Sequence, residues 1–202
     1  MESRLKETLH ELKHHSPFTL AATLVGVLIA IFLYKTNLPV TIFEFAHPLH
    51  ILFSSIVTAA IFYKYKKNFI QAVFVGMLGS VVIGSISDII LPYFGGNLFN
   101  LKTAFHLPII ETPLIILSAS LAGTIIGIKT QLTRLPHFIH VLLSTFASLF
   151  YLIAFTPTIN PTFFILAFAI VFIAVIIPCC LSDIVFPFFF LGEKIKHCNC
   201  NN

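Results

Sequence analysis

The chain has 202 residues, of which 57% are hydrophobic and 10% charged, whereas ordinary soluble domains carry roughly 25% charged residues. With a mean hydropathy of +0.97, this excludes a water-soluble globular protein and predicts an all-α integral membrane protein whose first partner is the lipid bilayer. The formal charge of +4 comes without a basic stripe or interleaved exposed aromatics, so no nucleic acid partner is expected.

Residues 1–16 carry Leu5, Leu9 and Leu12 at spacings of four and three, the stripe of an amphipathic helix lying in the interface. Six apolar runs follow at 17–34, 48–63, 69–93, 107–128, 137–155 and 162–191, each near the roughly 20 residues that a span requires. The first has no small-residue cleavage site and reads as a retained span rather than a signal peptide. Residues 94–106 read as an outer loop, with "FGGN" at 94–97 as its turn or re-entry, and 192–202 as a cytoplasmic tail.

Arg4, Lys6, Lys13, Lys64, Lys66, Lys67, Lys129, Arg134, Lys194 and Lys196 fall on one side of this topology, and only Lys35 and Lys102 on the other. The positive-inside rule then places both termini in the cytoplasm, with a prokaryotic inner membrane as the expected location.

The first half returns in the second. "HPLHILFSSIVTAAIFY" from His47 resembles "HFIHVLLSTFASLFYLI" from His137; "YKTNL" from Tyr34 resembles "IKTQL" from Ile128; "SPF" at Ser16 matches "TPL" at Thr112; "SDIILP" from Ser87 matches "SDIVFP" from Ser182. The order is conserved between the halves, so residues 17–93 and 107–191 read as two three-helix repeats. Three spans are an odd number, and the second repeat must enter the membrane inverted, a plan shared with many secondary transporters. In each repeat an aspartate stands four residues before a proline. Proline has no N–H and pushes aside the carbonyl four residues earlier, so helices 3 and 6 are expected to be broken or kinked there, offering a carboxylate beside the freed carbonyl of Asp88 or Asp183.

The topology sorts the polar residues into two clusters. His47, His50, Asp88, His106 and Glu111 gather at the outer face, and His137, His140 and Asp183, with His14 and His15 nearby, at the inner face. His-x-x-His puts both rings on one helix face, and imidazoles with carboxylates suit Zn, Mn, Fe, Co or Ni. Counting residues along helices 3 and 6 predicts two sites roughly 15 to 25 Å apart.

Of the four cysteines, Cys179 and Cys180 in "IPCC" read as reduced packing residues or softer ligands of the inner site. The "HCNCNN" ending, with His197, Cys198 and Cys200 close together, reads equally as a metal-binding tail or as a simple polar terminus. Gly76, Gly79, Gly84, Gly123 and Gly127 read as positions of close helix approach.

The leading expectation is a small transporter or permease for a divalent transition metal, with a homodimer as one way to complete a path that six short spans leave open. An intramembrane metal-dependent hydrolase is the alternative, with Glu44 or Glu111 as general base; a haem-binding electron carrier is a third. There is no His-Glu-x-x-His, Gly-x-Ser-x-Gly or P-loop in the chain.

Overall fold

The structure is a computed structural model that describes the backbone of residues 2–36 and 38–180, and the side chains of 16–36, 38–133 and 135–178. Among these residues every regular element is helical: α1 (Glu2–Leu33), α2 (Leu38–Tyr65), α3 (Phe69–Ser85), a π-helical turn (Ile86–Ile90), α4 (Leu91–Leu98), α5 (Pro108–Glu111), α6 (Pro113–Thr130), α7 (Arg134–Phe155) and α8 (Pro161–Cys180). Six stretches are long and apolar enough to cross a bilayer: Ser16–Leu33, Leu38–Tyr65, Phe69–Leu98, Pro113–Thr130, Leu135–Phe155 and Pro161–Pro178. This is an integral membrane protein.

Three boundaries differ from those expected. The N-terminal segment is one continuous helix with the first span, and Pro17 lies inside it. The second span starts ten residues early. Thr36 Oγ1 accepts from the Leu38 N–H at 3.2 Å, and Pro39 occupies the first turn, where a missing N–H has no partner to lose. Pro48, which the apolar pattern marks as a helix start, sits inside α2. Finally, "FGGN" is helical, because α4 runs to Leu98. Gly96 gives room to the Thr103 side chain and Gly95 to Ile170.

The loop is therefore residues 99–107, with Asn100 and Lys102 at positive φ. It is strapped to the bundle. Asn97 Nδ2 donates to Thr103 O at 3.0 Å, Thr103 and Thr156 share a hydroxyl bond of 3.0 Å, and Tyr151 OH donates to Ala104 O at 2.9 Å.

Two helices form the centre. In α2 and α7, 67% and 61% of the apolar window is buried, against 33% in the first span and in α6. α2 packs on α7, α6 and α3, while α7 packs on α2, α1 and α8; α3 also meets α6, and α1 meets α8. Phe43, Ile89, Leu149, Phe150, Tyr151, Leu152 and Phe163 fill the main core. Large apolar side chains such as Phe32, Ile70 and Leu114 cover the outside, the surface that lipid solvates.

Candidate metal centre

The early start of α2 relocates its histidines. At about 1.5 Å per residue from Leu38, His50 lies about 18 Å along the helix, and His47 is one turn before it. Both are buried, at 0% and 2% exposure. Placed at the end of a span they would face interfacial water; here they face α3 and α7.

Asp88 meets them from the π-helical turn. Its Oδ2 accepts from His47 Nδ1 at 2.8 Å and from His50 Nδ1 at 2.7 Å. Its Oδ1 accepts from Ser87 Oγ at 2.8 Å and from Ser144 Oγ of α7 at 2.8 Å. An ionised carboxylate buried without partners costs many kcal/mol. Four donors from three helices supply what water would have supplied, and charge-assisted bonds of this length are strong.

The proline acts differently from the expectation. The span does not break: the helix continues from Phe69 to Leu98, and Leu91 N–H bonds to Ile86 O, five residues back. In that register the carbonyl deprived of a partner by Pro92 belongs to Ser87 rather than to Asp88. Ser148 Oγ of α7 lies 3.0 Å from it and shares its proton between that oxygen and the Ser144 carbonyl, 2.7 Å away. The extra residue of the π turn thus accommodates the proline while Asp88, at 0% exposure, faces the two imidazoles.

One ligand atom each from His47, His50 and Asp88 fit within 4.8 Å of one another. Ligands about 2.1 Å from a tetrahedral ion stand about 3.4 Å apart, so an ion held by the two Nδ1 atoms and Oδ2 would replace the protons of these hydrogen bonds, each ring moving its proton to Nε2, and the cluster would open by about 0.6 Å. Because both Nδ1 atoms face an acceptor, each neutral ring carries its proton there and has its lone pair on Nε2. His47 Nε2 has no hydrogen-bond partner among the described residues.

The other candidate ligands are distributed around this centre. His140 of α7, at 0% exposure, stacks on His50 with centroids 5.7 Å apart and planes 9° apart, and His137 lies against His140 at 4.9 Å. The histidines of the two expected clusters are therefore not 15 to 25 Å apart, while Asp183, from which with Asp88 that separation was counted, lies outside the described residues. The histidine pairs adjoin, because α2 and α7 are direct neighbours and His50 is deep in its helix. His106 and Glu111 sit apart, paired through His106 Nδ1 and Glu111 Oε1 at 2.8 Å, with 21% and 49% side-chain exposure. Glu44 is exposed. Asp183, Pro187, His197, Cys198 and Cys200 lie outside the described residues, as do the side chains of His14, His15, Cys179 and Cys180.

Sequence reasoning missed Ser87, Ser144, Ser148 and Phe43. The serines carried a signal, since Ser144 and Ser148 follow His140 at spacings of four and eight on one helix face. Phe43, one turn before His47 and stacked on it at 5.8 Å, carried none among 23 phenylalanines. No protein family, curated protein or solved structure matches the chain.

Proposed function

We propose that this protein is a small membrane transporter for a divalent transition-metal cation, one of Zn, Mn, Fe, Co or Ni, which binds at His47, His50 and Asp88. The observation that carries the reading is a fully buried carboxylate held between two imidazoles inside a bundle of membrane spans. Intramembrane ionisable residues are costly and mark ion paths, and nitrogen donors favour transition metals over Mg or Ca. His140 and His137 continue the line of imidazoles toward the face that bears Lys64, Lys66, Lys67 and Lys129, which the charge bias assigns to the cytoplasm. Glu44 and Glu111, the bases a hydrolase would use, are exposed and outside the cluster, so transport is the better reading.

The inverted repeat belongs to the same proposal and has support from packing. A two-fold axis relating α1, α2 and α3 to α6, α7 and α8 turns the contact of α2 with α6 into that of α7 with α1, α3 with α6 into α8 with α1, and α2 with α3 into α7 with α8; all occur. A residue beside such an axis meets its own counterpart, as His50 meets His140. By the same duplication Asp183 is assigned to His137 and His140 as Asp88 is to His47 and His50.

Protein purified without a histidine tag is expected to bind at least one transition-metal ion per chain and, in proteoliposomes, to carry it down a gradient. Elemental analysis and a metal-sensing dye read the two results. Absence of binding for all five metals would remove the proposal. Ser144→Ala, which deletes one donor to Asp88, is expected to cost about 1 to 2 kcal/mol by thermal unfolding and to weaken metal binding about ten-fold by calorimetry.

A further inference from the structure

One side chain touches both the partly exposed His106 and the buried His47. Phe43 is 0% exposed. One side of its ring lies against His47 at 5.8 Å, nearly parallel, while His106 meets it edge-on at 5.7 Å. Tyr151 and Phe155 close around it at 5.4 and 5.6 Å, and His106 is itself stacked on Phe155 at 4.5 Å. The strapped loop 99–107 holds His106 over this aromatic group through Thr103 and Ala104. On the other side of the cluster the neighbours are imidazoles, His140 and then the partly exposed His137.

The two sides of the centre are therefore chemically unlike. A hydrated cation can exchange ligands with imidazoles 5 to 6 Å apart, but an apolar constriction offers it nothing in place of its water. We propose that Phe43 is the gate between the buried cluster and a mouth site formed by His106 and Glu111, where a divalent transition metal is first captured. One imidazole and one carboxylate leave most of the coordination shell to water, so capture at the mouth is weak and reversible. Rotation of the Phe43 side chain, or movement of α2 relative to α7, then connects His106 to His47. The inference rests on the transport reading, but its core, a route closed by one ring, does not require metal to be tested.

Carbethoxylation of histidines by diethyl pyrocarbonate, read peptide by peptide by mass spectrometry on the folded full chain, provides that test. In the wild type His106 is expected to react and His47 to be protected. Phe43→Ala is expected to raise the rate at His47 at least about ten-fold, while Phe43→Leu, which keeps most of the bulk, leaves it protected. Thermal unfolding and gel filtration establish that each variant is folded, and should Phe43→Ala fail, Phe43→Ser and Phe43→Val serve in its place. A folded small-residue variant whose His47 stays protected, or a wild type in which His47 reacts as fast as His106, would overturn the gate. Ni added to the wild type is expected to protect His106, and Glu111→Gln to abolish that protection. Protection unchanged by Glu111→Gln, or none at all, would overturn the mouth site. Failure of the transport reading looks different: the histidine reactivities follow Phe43 as described, yet no metal binds at the buried cluster.

Discussion

Asp88→Asn is expected to lower metal affinity at least about 100-fold and to abolish uptake into proteoliposomes, while the protein still folds. The two halves of that expectation come from the same geometry. Asparagine keeps one oxygen, which can go on accepting from His47 and His50, and its amide nitrogen then faces Ser87 and Ser144, whose hydroxyls can turn to accept. Every hydrogen bond survives in some form, so the cost in unfolding free energy is about 1 to 2 kcal/mol, reduced further because a buried charge no longer has to be desolvated. The negative charge opposite the cation does not survive. A divalent ion between two neutral imidazoles and an amide has nothing to neutralise it in a low-dielectric interior. Calorimetry and flux measurements on the folded variant decide the matter, and wild-type affinity and uptake in Asp88→Asn would make the aspartate structural. Under the duplication Asp183→Asn is expected to act in the same direction.

Much of this architecture is legible in the sequence because the bilayer leaves few alternatives. Six apolar runs can only be six helices, since backbone polar groups must be satisfied within each segment, and the runs located α7 to within three residues and the third and fourth spans to within six. Proline misled. Pro48 looked like a helix start because the second apolar run begins there, but interior prolines are tolerated in membrane helices, and the ten residues 38–47 form nearly three further turns of α2. That single misplacement moved His47 and His50 from the interior to the surface and produced two separate clusters where the structure has adjoining ones.

The candidate site was legible as a set of residues but not as a geometry. A duplicated His-x-x-His and a duplicated aspartate point to each other through topology, and His47, His50 and Asp88 do meet. What sequence does not carry is the register of the helix that delivers Asp88. In an α-helical turn Pro92 opposes the Asp88 carbonyl; in the π turn it opposes that of Ser87, and whether the extra residue is absorbed depends on Ser148 being across the interface to bond the freed oxygen. Such a choice is made by packing between distant segments, so the role of a serine 61 residues away has no local signature. The separation of His106 and Glu111 from that centre was equally beyond reach, because it depends on Phe43 packing between His106 and His47.

The second large effect is expected at a residue that carries no chemistry. A side chain at Gly123 would place its Cβ on the carbonyl oxygen of Leu52 and on Ser55 Oγ, and one at Gly127 would meet the carbonyl of Ile56. The two carbonyls are backbone atoms of α2, in the middle of a helix, and they cannot turn aside as a flexible side chain can. Helices in a bilayer associate through close packing rather than through expulsion of water, so an added Cβ forces α6 away from α2 along the whole contact. Gly123→Ala is expected to lose about 2 kcal/mol, and Gly123→Val about 3 kcal/mol or more, despite the roughly 1 kcal/mol by which alanine is the better helix former. Gly26→Ala provides the control. There the new Cβ meets Leu149 Cδ2 at 3.2 Å, the far end of a side chain that can shift, and Thr145 Cγ2 at an ordinary contact distance of 4.0 Å, and helix propensity should leave the variant neutral or slightly more stable. Thermal unfolding in detergent measures both, and equal stability of Gly123→Ala and Gly26→Ala would refute the close-packing account. The displacement also has a functional consequence. Leu52 is two residues from His50, whose bond to Asp88 is 2.7 Å, so any Gly123→Ala protein that folds is expected to bind metal more weakly although no ligand has been changed.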